Sequence, residues 1–164
     1  MKRITRVSAL LLLAIMSMLS FGLNAFANVA QDQALAIAQK LVPSCCKVTE
    51  VSHHEKDLEW ECEFLTKNKK AEYEVVVDET TGKVKKLEME MKHDKGGCRV
   101  SINKCKAKKS VLKKFQNAVI TKVKKCKDDG FYIYRVWFHG DGYTADAEVN
   151  AKTGKVNEWT LRFI

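Results

Sequence analysis

One stretch constrains this chain more than any other, because the chain carries it twice. Glu72–Glu90, EYEVVVDETTGKVKKLEME, returns as Thr144–Arg162, TADAEVNAKTGKVNEWTLR, at an offset of 154 − 82 = 72. Gly82 falls on Gly154, Asp78 on Asn150, and Thr81-Gly82-Lys83-Val84 recurs unchanged as Thr153-Gly154-Lys155-Val156. Each copy reads as a strand, a polar turn with one glycine, and a second strand. Upstream, the same offset carries Val48 and Val51 onto Ile120 and Val123. It also carries Leu58, Trp60, Cys62 and Phe64 onto Gly130, Tyr132, Tyr134 and Val136. A gap-free match over strands and turns predicts duplicated units of about 60 residues.

The N-terminus reads as an export signal spanning 1–27. Lys2, Arg3 and Arg6 precede an apolar core, Ala9 to Leu23, and Ala25-Phe26-Ala27 is a small-x-small cleavage site. The mature chain then begins near Asn28, is periplasmic or secreted, and retains no transmembrane segment. Export permits disulfides. Cys45, Cys46, Cys62, Cys98, Cys105 and Cys126 all survive cleavage and are candidates for up to three bridges in any of 15 pairings. The short loop between Cys98 and Cys105 favours a bridge there.

Charge divides the mature chain. Residues 28–91 hold 9 Lys/Arg against 13 Asp/Glu, a net of −4, and residues 92–164 hold 17 against 7, a net of +10. Such asymmetry steers partners or pairs molecules head to tail.

The periodicity predicts an α+β protein of two units, each one helix packed on about four antiparallel strands. Asp32 caps a helix from Gln33 to Val42, which Pro43 ends. Leu58, Trp60, Cys62 and Phe64 point inward against outward Glu59, Glu61 and Glu63, and Tyr73, Val75 and Val77 repeat the alternation. Gly82 and Gly154 supply positive φ at matching hairpin turns. A basic, cysteine-containing linker covers 92–108. In the second unit, 109–164, Ser110 caps a helix through Asn117. Leu87, Met89 and Met91 correspond to Trp159, Leu161 and Phe163 on the inward face. One strand is apolar on both faces: Phe131, Ile133 and Trp137 oppose Tyr132, Tyr134, Val136 and Phe138. A second cover is needed, either the first unit or another protein. If the first unit does not cover it, Phe131, Ile133, Arg135 and Trp137 form a partner-binding face, since aromatic residues and arginine dominate binding hot spots.

Catalytic signals are missing. No G-x-S-x-G, phosphate-binding glycine loop or H-E-x-x-H occurs. His53 and His54 with Cys45, Cys46 and Cys62, or His93 with Cys98, are the metal-ligand candidates, but none has zinc-site spacing, so no metal and no cofactor is expected. Glu59, Glu61, Glu63, Glu72, Glu74, Glu88 and Glu90 line an acidic face without the contrasting environments of a catalytic carboxylate pair. That face is a solvated surface or a docking patch for a basic partner. Lys104 to Lys127 is strongly basic. Export argues against nucleic acid and leaves lipid head groups, wall polyanions or an acidic protein.

The recurring acidic-apolar strand, D-x-x-T-G-K-V turn and closing strand resemble the PepSY domain, with Asn150 replacing the aspartate in the second copy. The helix-plus-strands order is also similar to the duplicated units of β-lactamase-inhibitor-like proteins. The resemblance implies a non-enzymatic protein that binds and inhibits or regulates an extracytoplasmic protein such as a peptidase. It implies structural roles for Asp78, Thr81, Gly82, Asn150, Thr153 and Gly154. No peptidase domain follows, so inhibition would act in trans. The rival reading is a Cys/His metal or redox carrier.

Overall fold

The structure is a computed structural model that describes residues 28–164 except Lys95 and Asp129; the signal segment 1–27 lies outside the described residues. Its elements are α1 (Gln31–Gln39), β1 (Cys46–His54), β2 (Glu59–Thr66), β3 (Ala71–Asp78), β4 (Val84–Met91), α2 (Lys104–Lys114), β5 (Val119–Asp128), β6 (Phe131–Gly140), β7 (Tyr143–Asn150) and β8 (Val156–Phe163). The class is α+β. The strands do not form two separate sheets of four. They make one antiparallel sheet of eight, ordered β1-β2-β3-β4-β8-β7-β6-β5.

The two halves meet where β4 pairs with β8, Leu87 against Leu161 and Met89 against Trp159. The pair Glu88 and Thr160 sits on this seam, and 160 − 88 = 72, so each residue faces its own counterpart at the repeat offset. Both helices pack on the same face. There Cys62, Phe64, Val75, Val77, Leu87 and Met89 join Tyr134, Val136, Phe138, Trp159 and Leu161 in one continuous core. Burying such side chains stabilises each by about 1.5–3 kcal/mol relative to exposure.

The halves match in detail. Bulges fall at Val48/Glu50 and Ile120/Lys122, and at Val76/Val77 and Glu148/Val149. Ahead of each helix the chain is tied to the β-turn below it. The Val29 N–H donates to the Glu79 carbonyl at 2.7 Å, and the Ile102 N–H to the Ala151 carbonyl at 3.1 Å. Trp60 Nε1 then donates to the Val29 carbonyl at 2.8 Å, and the Tyr134 hydroxyl to the Ile102 carbonyl at 2.9 Å.

Those last contacts correct the repeat alignment. Asp78 and Asn150 are 72 apart, but their partners Glu59 and Ile133 are 133 − 59 = 74 apart. Trp60 therefore corresponds to Tyr134, and Phe64 to Phe138. The β6–β7 loop is two residues shorter than the β2–β3 loop, and a longer β5–β6 hairpin restores the offset. An even shift keeps every inward residue inward, so alternation alone cannot detect it.

Other expectations change at element ends. Ala30, not Asp32, precedes the first helix, its N–H bonded to Gln33 Oε1 at 3.2 Å. The second helix runs through the expected linker, starting six residues before Ser110. Asn103 caps it, its Oδ1 accepting the Lys106 N–H at 2.9 Å, which satisfies a first-turn donor. Leu58 is not a core residue but an exposed turn residue with φ 52°.

Gly82 and Gly154 have φ 68° and 77° in equivalent turns. The Asp78 carboxylate accepts both the N–H and the hydroxyl of Thr81 at 2.7 Å. Burial raises its pKa, but these hydrogen bonds prevail and hold it below the usual value. Replacing either glycine by valine is expected to destabilise the fold by about 1 kcal/mol or more, since β-branched residues resist positive φ. Urea unfolding of the two variants tests this, and unchanged midpoints would refute it.

Candidate functional site

Among the described residues, no element covers the face opposite the helices over most of its width. Alternation decides what it displays, and strand register decides what stands next to what. Reading across the sheet, one row runs Glu50, Glu63, Glu74, Glu88, Thr160, Asp146, Trp137 and Lys122. The row beside it runs Leu65, Glu72, Glu90, Glu158, Glu148, Arg135 and Lys124. Two ladders of carboxylates thus cross the seam and end on a cationic and aromatic flank.

Like charges directly opposite destabilise a sheet. Some are neutralised locally. Lys86 sits between Glu74 at 2.9 Å and Glu88 at 2.7 Å, Arg162 meets Asp146 at 2.7 Å, Arg135 pairs with Glu148, and Lys92 pairs with Glu72. Two others, Glu158 and Glu63, titrate abnormally. Burial first, then Glu148, Glu88 and Glu90, push the Glu158 carboxyl up to about 7, against the pull of Arg135. Burial, then Glu50, Glu72, Glu61 and Glu74, also raise Glu63.

The expected partner face is divided by the structure. Phe131, Ile133, Arg135 and Trp137 do share one side of β6. However, Asp94, Gly96 and Gly97 lie across its first part as a strap. Gly97 pairs with Tyr132 (Tyr132 N–H to Gly97 O, 2.8 Å), and a Cβ on Gly96 would stand 2.5 Å from Phe131 Cβ. Ile133 is 1 % exposed. The cover over this strand is therefore neither the first half nor another protein but the chain's own connection, and Ile133 is withdrawn from any docking role. Arg135 and Trp137 remain at the surface, with Lys122 Nζ 5.0 Å from the Trp137 ring centre.

Asn150 anchors the strap. Its Oδ1 accepts the N–H groups of Lys152 and Thr153 at 2.9 and 3.0 Å, as Asp78 does for its own turn, while its Nδ2 donates to Asp94 Oδ1 at 2.7 Å.

The histidines and cysteines do not converge. His53 Nε2 lies 2.9 Å from the buried Glu79 carboxylate and its ring stacks on Trp60 at 4.4 Å, while His54 faces Glu61 at 3.5 Å. Among the described residues no three His, Cys, Asp or Glu are placed to hold a metal. No two of the six cysteines are bonded in the structure, so the bridge expected between Cys98 and Cys105 is not formed there. Cys62 is buried in the core and its pKa is pushed up to about 11, chiefly by burial; Cys46, beside Cys45, is raised to the same level, again mainly by burial. High thiol pKa values make poor nucleophiles.

Glu148 and Glu158 escape sequence reasoning because they become neighbours of the first-half glutamates only through the β4–β8 register. The start of α2 was accessible: carrying Asp32 forward by 72 lands on Lys104.

Glu158 yields a test with a definite sign. Its folded pKa lies above its ordinary value of 4.5, so the native state holds an extra proton between about 4.5 and 7. Stability therefore falls as pH rises through that window. Glu158→Gln is expected to flatten this dependence and to be more stable than the parent at pH ~8. Urea unfolding on both sides of the window measures it; an unchanged pH slope would refute the assignment.

The likeness to known proteins is uneven along the chain. No curated protein matches it. Among solved structures it is similar to the Bacillus megaterium YpeB C-terminal domain, with 14% identity over 85% of this chain and 68% of that one, TM-score 0.34. It is also similar to a BLIP-like protein from Bacteroides fragilis, 13% identical over 80% and 85% of the two chains, TM-score 0.32. A DUF2874 family protein from Bacteroides uniformis is 12% identical over 79% and 88%, TM-score 0.32. The family model PepSY, described as "Peptidase propeptide and YPEB domain", matches residues 29–88, which cover α1 through most of β4. The resemblance to PepSY is thus carried by residues 29–88.

Proposed function

We propose that this chain is an exported, non-catalytic binding protein that restrains or regulates an extracytoplasmic protein, a peptidase being the foremost candidate. In this reading, residues 1–27 direct export. The mature chain holds two copies of one PepSY-like unit, 28–91 and 109–164, joined by 92–108, whose last residues begin α2. The matching bulges, turns and pre-helix anchors of the two halves support the duplication.

The observation that carries the reading is the open sheet face. Its carboxylate ladders and the Arg135–Trp137 flank form a broad, largely preformed surface with opposite charge at its two sides. Complementary potentials give orientation and partner choice, and Trp and Arg are the residue types that dominate binding energy. A basic segment of the partner would lie along Glu72, Glu90, Glu158 and Glu148, with Trp137 as the apolar anchor. The PepSY match points the partner class toward peptidases. A metal or redox carrier is the weaker reading, since the histidines serve Glu79 and Glu61 and the thiols are scattered.

The mature protein is expected to co-purify with an extracytoplasmic protein and to reduce secreted peptidase activity. Arg135→Glu and Trp137→Ser are each expected to weaken that interaction by about 2 kcal/mol or more while the unfolding midpoint stays near the parent's. Full binding by both variants would remove the open face from the interface. If the parent neither affects peptidase activity nor acquires a partner, the regulatory reading falls.

A further inference from the structure

A second surface lies away from the open face, on the edge formed by α2 and β5. From Lys104 to Lys127 the chain has ten lysines and not one aspartate or glutamate. Nine are exposed: Lys104, Lys106, Lys108, Lys109 and Lys113 on α2, and Lys122, Lys124, Lys125 and Lys127 on β5. Lys122 and Lys124 stand on the open face beside Trp137 and Arg135, which leaves the other seven to this edge. None of the ion pairs among the described residues involves any of them, whereas Lys85, Lys86 and Lys92 of the first half are all paired.

This arrangement works against the helix that carries it. Lys104 and Lys108 are four apart, as are Lys109 and Lys113, and like charges at that spacing destabilise a helix. The first turn has no acidic residue to complement the helix dipole. The Asn103 cap and the placement of Lys113 and Lys114 in the last turn offset part of this cost, and the like-charge spacing that remains is of the kind found at functional surfaces. Edge-strand lysines also deter strand pairing, but that role does not account for the lysines of α2.

The lysines also have a shape. Lys104, Cys105 and Lys108 of α2 and Thr121, Lys122 and Val123 of β5 line a cleft between the two elements. On β5, Lys125 and Lys127 lie opposite Tyr134 and Tyr132, whose rings belong to the helix side of the sheet, and Lys127 Nζ stands 5.6 Å over the Tyr132 ring. These two therefore share the side of the sheet on which α2 lies, while Lys106, Lys109 and Lys113 recur along α2 at helical spacing. The cationic band follows α2 for about 16 Å, and flexible ammonium groups rather than fixed donors line it. Such a band suits a series of phosphates better than one ion. Flanking a cleft rather than forming a flat apolar-edged plane, it suits a linear chain better than a bilayer, which is gripped through an apolar face.

We propose that the α2–β5 edge is a binding site for a linear phosphate-bearing polyanion, independent of the docking face of the sheet. The test uses residues 28–164 and long-chain inorganic polyphosphate, followed by calorimetry or fluorescence polarisation. Binding is expected at low salt, with affinity falling tenfold or more as ionic strength approaches ~0.5 M, because exposed charge pairs are screened. The triple variant Lys104→Ala/Lys108→Ala/Lys125→Ala is expected to lose at least tenfold in affinity. Its unfolding temperature at low salt is expected to be equal or higher, since like charges are removed, so weakened binding will not reflect unfolding. The matched variant Lys47→Ala/Lys67→Ala/Lys83→Ala changes net charge equally on the other half and is expected to stay within about twofold. Equal loss in both variants would show a response to net charge alone and overturn the site. So would orthophosphate competing at equal phosphate concentration, vesicles of anionic phospholipid binding while polyphosphate does not, or no binding to any probe.

Discussion

Everything in this molecule depends on the antiparallel pairing of β4 with β8. Five residue pairs, Lys86–Arg162 through Glu90–Glu158, convert two four-stranded halves into one sheet. Without that ladder each half would present a bare central edge of unpaired N–H and C=O groups. With it, only β1 and β5 remain as edges, and both are guarded by bulges and charged residues, the devices that keep exposed strands from pairing with other chains. The seam also merges the cores. Leu87, Met89, Trp159 and Leu161 are each no more than 5 % exposed. The Trp159 ring meets Tyr73 of the first half at 6.4 Å and Phe115, next to α2, at 5.5 Å.

The same register has a cost on the opposite face. Bringing β4 against β8 places Glu90 opposite Glu158, and β7 then adds Glu148. Burial and these neighbours make Glu158 the most perturbed carboxyl on the sheet. Replacing one of the glutamates by a neutral residue would relieve the repulsion, yet the row is continuous over four strands. A surface that stores unfavourable electrostatics in this way gains most when a cationic partner arrives, because the repulsion is relieved by the same contacts that form the complex. The seam that stabilises the fold thus also concentrates unfavourable electrostatics on the open face.

Much of this was legible in the residues. The turn glycines, the inward faces of β3, β4, β7 and β8, the class of fold and the acidic row of the first half all follow from alternation and from the repeated T-G-K-V. What stayed hidden has physical causes. A two-residue slip preserves alternation, so the true partner of Trp60, Tyr134, emerges only from its hydrogen bond to Ile102. The seam is a choice between edges, and nothing local in β4 or β8 says that they pair with each other rather than with a partner. The start of α2, by contrast, was within reach of the repeat offset and was masked only by its lysines, which read as solvated linker although lysine is a good helix former and Asn103 supplies a cap.

The asparagine at 150 gives the second half a contact that the first half lacks at the equivalent turn. Asp78 needs only to accept, and two donors from Thr81 satisfy it. Asn150 keeps that acceptor role through Oδ1 and turns its second polar atom into a donor aimed at Asp94. A carboxylate in its place would oppose the Asp94 carboxylate instead of bonding to it, and Lys155, 3.7 Å away and exposed, would be a weak remedy. The strap is therefore held by a change that keeps the turn's acceptor and adds a donor. The strap in turn needs Gly96 and Gly97, since a Cβ on either would come within 2.5 Å of Phe131 or Lys152. Its position over Ile133 sets where the open face stops: Ile133 before that line belongs to the protein's interior, and Arg135 and Trp137 beyond it stay at the surface.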